Sequence, residues 1–167
     1  MRDLAVLMVV CSNSGVAWWR FWTFAKAAHR NKAGFFNPLW YQKNLTTNHP
    51  WEFEMAMPEH FSRITGELSQ KVRQADVVVC QMIHTEMGLE TVRGIKAMFP
   101  HVPVVAEIDD LMTDTADYNP AANAYEQGSE YRERAIAQFK MSDAIVVSTP
   151  FLKDAYADLN DNIYVVP

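Results

Sequence analysis

Apolar positions along this chain fall into two alternating kinds of segment. Leu4 to Val10, Asp76 to Cys80, Val102 to Ile108, Asp143 to Val147 and Ile163 to Pro167 hold short, nearly continuous apolar runs bounded by polar residues. Runs of that length and continuity are the pattern of strands buried on both faces of a parallel sheet. Longer segments between them space their apolar residues three and four apart, as in Phe61, Ile64, Leu68 and Val72, or Leu89, Val92, Ile95 with Met98 or Phe99. That spacing predicts helices over residues 16–31, from Pro58-Glu59 to about residue 72, over 86–99, over about 124–140 and over 151–158. Phe35 to Tyr41 is a further short strand, and Trp51 to Met57 alternates apolar with acidic residues as an edge-like strand does. Residues 42–50 are polar and read as a loop. Strands and helices alternating over short connections predict an α/β fold: one doubly wound, mostly parallel sheet with helices on both faces.

Size changes this picture little. The 167 residues suffice for one domain with a real core, and 49% hydrophobic with 21% charged content is ordinary for a globular protein. Charge narrows the partners. Fifteen basic against twenty acidic side chains leave a formal charge of −5, which argues against coating nucleic acid or an anionic membrane. Cys11 and Cys80 each end a strand-like run without metal-ligand spacing and read as buried thiols in a reducing compartment. The N-terminus lacks the charged segment and long apolar core of a signal peptide, and no apolar run reaches the roughly 18 residues of a spanning helix. The expected location is cytoplasmic, which deprives the glycosylation pattern Asn44-Leu45-Thr46 of meaning.

The candidate chemistry gathers at strand carboxyl ends: Ser12 to Gly15, Gln81 to His84, Asp109 to Asp114, and Ser148 to Thr149. In a doubly wound sheet those ends share one rim, where ligands sit. Each group has a plain structural role as well. Ser12, Asn13 and Ser14 suit helix capping, and Gly15 belongs to no Gly-rich nucleotide fingerprint. Arg20 suits a bidentate phosphate contact or a stem laid along the neighbouring tryptophans. His84 suits a general base if Glu86 or Asp109 orients it, or a hydrogen-bonded structural residue. Asp109 and Asp110 suit sugar hydroxyls, a divalent cation or local backbone amides. Thr149-Pro150 reads first as a helix start. Trp18, Trp19, Phe21 and Trp22 make the first helix apolar all round, as a buried or partner-bound helix would be.

Four stretches of the second half also resemble a known family. They are Ala75-Asp76-Val77-Val78-Val79, Pro103 to Asp110, Ser142 to Leu152 and Asn162 to Pro167, and Gly15 to Arg20 adds a first-loop glycine followed by an arginine. Together they resemble the N-terminal domain of GT-B glycosyltransferases, most closely the bacterial and phage group related to glycosyltransferase families 1 and 4. The resemblance implies that residues 1–167 form a Rossmann-like half of a two-domain enzyme. Such an enzyme moves a sugar, a hexose in type, from a nucleotide-sugar donor to an acceptor. This half would supply the acceptor side, and the C-terminal nucleotide-sugar domain would be absent from this chain. Alone it would be inactive, and the uncovered cleft face and Trp-rich helix would favour self-association. By position, Gly15 and Arg20 would lie near the donor phosphates and His84 and Asp109 near the acceptor as catalytic residues. Asp110 and Thr149 would contact substrate. No metal or resident cofactor is implied, the nucleotide sugar being a co-substrate.

Two other readings compete. A non-catalytic binding module would use the aromatic first helix as its contact surface. A receiver-type phosphoacceptor domain is disfavoured, because receivers carry their acidic pair after the first strand and this pair follows a late one.

Overall fold

The computed structural model describes residues 5–9, 35–38, 52–56, 69, 72–82, 85–115, 118–119 and 122–167. Within them lie seven strands: β1 (Ala5–Val9), β2 (Phe35–Pro38), β3 (Glu52–Ala56), β4 (Val77–Gln81), β5 (Val104–Ile108), β6 (Ala144–Val147) and β7 (Ile163–Val165). Three α-helices connect the last four strands in alternation: α1 (Glu86–Met98), α2 (Glu130–Met141) and α3 (Pro150–Ala155). The strands form one sheet in the order β2-β3-β1-β4-β5-β6-β7, and every neighbouring pair is parallel. An α/β fold with a parallel sheet is what the alternating segments predict.

Strand order supplies a correction. The apolar–acidic alternation of residues 51–57 predicts an edge-like strand, yet β3 lies between β2 and β1. The edge on this side belongs to β2, with β7 at the other, because the chain leaves β1 for the far margin and returns inward through β3. The order then reverses across β1, with β4 on its other side. In open α/β sheets such a reversal marks the crevice where ligands bind, outside the strand carboxyl ends.

From β4 to β7 each step moves the same way across the sheet, so right-handed crossovers place their helices on one face. Register agrees. Cys80 lies beside Ala106, Ala106 beside Ile145, and Ile108 beside Val147, and all five of these strand positions are buried under the helices. α1 packs with Val92, Ile95 and Phe99 against Val78 and Val104. α2 and α3 pack with Phe139, Leu152 and Tyr156 against Ala106, Ile145 and Val147. The α1 stripe ends on Phe99, which is 5% exposed, whereas Met98 is 50% exposed and faces away. β1 is buried on both sides through Val6, Leu7, Met8 and Val9, as a central strand should be.

Local chemistry sets the helix limits. Thr85 caps α1 by accepting from the Gly88 amide (3.1 Å), and Thr149 caps α3 by accepting from the Leu152 amide (3.2 Å), with Pro150 in its first turn. α2 starts at Glu130, later than the predicted 124. The reason is the turn before it: Gly128 takes φ +83°, a left-handed conformation suited to glycine, and Ser129 then caps the Arg132 amide (3.3 Å). Ala122–Ala124 forms only a 3-10 turn. The helices predicted over 16–31 and from residue 58 lie outside the described residues, apart from Ser69 and a helical stretch at 72–74. Among the described residues no helix is long and apolar enough to cross a membrane.

Candidate functional site at the carboxyl rim

Three strand ends reach the rim at nearly the same level. Gln81 is in register with Glu107, and the Met82 amide donates to the Glu107 carbonyl (2.9 Å), so β4 leaves the sheet beside Ile108. Ile108 is in register with Val147, so the turn of Asp109-Asp110 and the turn of Ser148-Thr149 leave adjacent strands together. Asp109, Asp110 and Thr149 are thereby gathered on one rim. Asp109 is half-buried, and Asp110 and Thr149 are exposed. His84, Gly15 and Arg20 lie outside the described residues, as do Ser12, Asn13, Ser14 and Cys11.

The turn after β5 is held from below. Tyr156, at the carboxyl end of α3, is fully buried with its ring edge-on to Phe139 (centroids 5.2 Å apart). Helical side chains lean toward the helix N-terminus, so this phenol reaches back to the rim. Its hydroxyl donates to the Asp110 carbonyl (2.6 Å) and accepts from the Met112 amide (2.8 Å). Burial, with the Asp110 charge nearby and despite the Met112 hydrogen bond, pushes the phenol up to about 12. It therefore stays a donor throughout the neutral range. A second buried polar group ties down β4: the Gln138 side-chain amide donates to the Gln81 carbonyl (3.3 Å). Neither Tyr156 nor Gln138 stands out by periodicity. The available signal is a polar residue within an apolar stripe, Gln138 beside Ala135 and Phe139, which requires an internal partner.

Charge around the rim is mixed but locally acidic. Glu86, Glu130 and Glu133 occupy the first turns of α1 and α2, where carboxylates complement the helix dipoles. Arg134 bridges Glu86 (2.9 Å) and Glu130 (2.7 Å), and Arg93 pairs with Glu90. Glu86, one of two residues suited to orient His84, is thus engaged with α2. Thr149 uses its oxygen lone pair on the Leu152 amide and keeps its hydroxyl proton for another acceptor. No group of three or more His, Cys, Asp or Glu side chains placed to hold a metal occurs among the described residues. Cys80, a free thiol, is wholly buried in the core, and burial pushes it up to about 12, so it is not a nucleophile.

A polar hollow of about 400 Å³ lies at the opposite end of the strands, lined by Asp143, Asp158, Asn160, Asp161 and neighbours. Its polar groups hold the fold together. Asp143 accepts from the Val104 amide (2.8 Å) and from Lys96 Nζ (2.6 Å). Burial alone would raise that carboxyl, but the Lys96 hydrogen bond and charge and the Val104 amide outweigh it and leave the pKa lowered. Asn160 donates to the Phe139 (3.0 Å) and Ser142 (2.8 Å) carbonyls, closing the end of α2.

No protein-family model matches the chain, and no curated protein matches it in sequence. The class is therefore the one that fold and rim define: an α/β protein with an all-parallel, Rossmann-like sheet and an acidic turn at its carboxyl rim.

Proposed function

We propose that this chain is the acceptor-side, N-terminal domain of a GT-B glycosyltransferase, in which Asp109 and Asp110 hold acceptor hydroxyls. The observation that carries the reading is the Asp109-Asp110 turn at the carboxyl end of β5, level with the Thr149 turn and one strand from the β1/β4 reversal. Carboxylates are strong acceptors for sugar hydroxyls, and Thr149 keeps a donor for a sugar oxygen. The glutamates in the first turns of α1 and α2 are taken up in ion pairs with Arg132 and Arg134, and in this reading the donor nucleotide is held by the second domain, helped by Gly15 and Arg20. In this reading His84 is the base that takes the acceptor hydroxyl proton, oriented by Asp109. The donor's nucleotide diphosphate leaves as the acceptor oxygen bonds to the sugar carbon.

The test compares this chain with any longer product of its gene in binding and hydrolysis of nucleotide sugars. Release of nucleotide diphosphate by the longer protein, and not by residues 1–167 alone, is the expected result. If no form binds a nucleotide sugar, the likeness reduces to a shared fold and the non-catalytic binding module takes its place.

A further inference from the structure

We infer that Tyr156 is the positioning residue of the acidic turn, fixing Asp109 and Asp110 through their backbone; the functional weight of that role rests on the glycosyltransferase reading. A buried phenol needs a partner wherever it sits. What distinguishes this one is where both of its bonds go. The Asp110 carbonyl and the Met112 amide lie beyond the last residue of β5, where ladder hydrogen bonds have ended. The Tyr156 hydroxyl thus substitutes for the neighbouring strand that the turn has left behind. It reaches the turn across 46 residues of sequence, from a helix anchored by Leu152 and Tyr156 in the core. The Gln138 bond to the Gln81 carbonyl repeats the arrangement one strand away, at the end leading to His84. Two strand ends on the candidate rim are therefore gripped by polar side chains from helices that follow them in the chain. The side chains of Asp109 and Asp110 take their direction from a backbone that these contacts hold still, as a preorganised binding turn requires.

The experiment is Tyr156→Phe in the full 167-residue chain, read by NMR. Phenylalanine keeps the ring packed against Phe139 and removes only the hydroxyl. The expected result is amide exchange at Met112 accelerated about tenfold, the order of one lost hydrogen bond, with exchange at Ala106 and Ile145 unchanged. The carboxyl carbon resonances of Asp109 and Asp110 shift, while that of Asp143 stays in place as an internal reference. A uniform rise in exchange across the sheet, or carboxyl resonances that do not move, would overturn the positioning role and leave Tyr156 a core residue only. If the variant fails to fold, the wild-type chain decides. A slowly exchanging Tyr156 hydroxyl proton supports the clamp, and one averaged with water overturns it. These readouts need no ligand, so failure of the nucleotide-sugar assay would sink the glycosyltransferase reading without touching them.

Discussion

The two ends of the sheet use acidic residues in opposite ways. At the amino end Asp143 is spent on structure: its carboxylate oxygens accept from the Val104 amide and from Lys96, joining the starts of β5 and β6 to the end of α1. At the carboxyl end the protein grips the backbone of the acidic turn, through the Tyr156 hydroxyl on Asp110 and Met112. The first is a carboxylate used as a staple, the second a turn fixed through its main chain. The polar hollow lined by Asp143 and Asn160 thus marks the structural end, and the candidate site lies at the other.

Phe139 ties the two ends together, since its ring packs on Tyr156 and its carbonyl accepts from Asn160. Replacing it with Ala removes a fully buried ring and should cost about 3–5 kcal/mol in urea denaturation, loosening amides at both rims together. An effect confined to one rim would break the comparison at its root.

Asp143→Ala comes next, at about 1 kcal/mol, because it strands the Val104 amide. Its lowered pKa gives the sign with pH. The contribution is present above the ordinary carboxylate range and is lost as pH falls through the folded-state value, so the variant and wild type should converge in acid. Thermal melts from pH 7 downward measure this.

Tyr156→Phe should cost a similar or slightly smaller amount near neutrality, about 1 kcal/mol. Here the pH dependence runs the other way. The phenol is raised from 10.0 to about 12, so its stabilisation is complete below pH 10 and disappears as pH rises through the folded value. The gap between wild type and variant should therefore close in alkali, not acid. Cys80, raised from 9.0 to about 12, adds alkaline sensitivity common to both proteins and cancels in the difference.

The smallest stability effect belongs to Asp110→Asn, an exposed position, within about 0.5 kcal/mol in the same melts. In the proposed function this variant weakens acceptor binding while melting like wild type. A large loss of stability instead would make Asp110 a second staple and erase the contrast between the rims.

Much of this architecture is legible along the chain. The continuous apolar runs predict β1, β4, β5, β6 and β7, and the structure places strands there, although β7 is an edge strand that leaves Tyr164 58% exposed. Thr149-Pro150 predicts a helix start because an oxygen and a missing amide are what a first turn needs, and α3 starts there. Periodicity leaves Met98 and Phe99 tied as the last core residue of α1, and packing against the sheet chose Phe99. The start of α2 is misjudged by periodicity because the cue is a glycine able to take φ +83° before a capping serine, not an apolar spacing. Of the candidate site, Asp109, Asp110 and Thr149 are found at the rim where their sequence positions predict them. The groups that hold the rim, Tyr156 and Gln138, act on backbone 44 to 57 residues away, which no local pattern records.

By itself, then, the sequence determines the elements, their alternation and hence a parallel sheet, because periodicity and capping are local properties of adjacent residues. It also determines that carboxylates follow β5. Tertiary structure alone decided that β3 is interior and β2 an edge, since strand order depends on where a crossover lands. It decided too that Asp143 becomes a staple while the Asp109-Asp110 turn is held by its backbone. An aspartate's role follows from which donors the fold brings to it, and those donors lie on other elements.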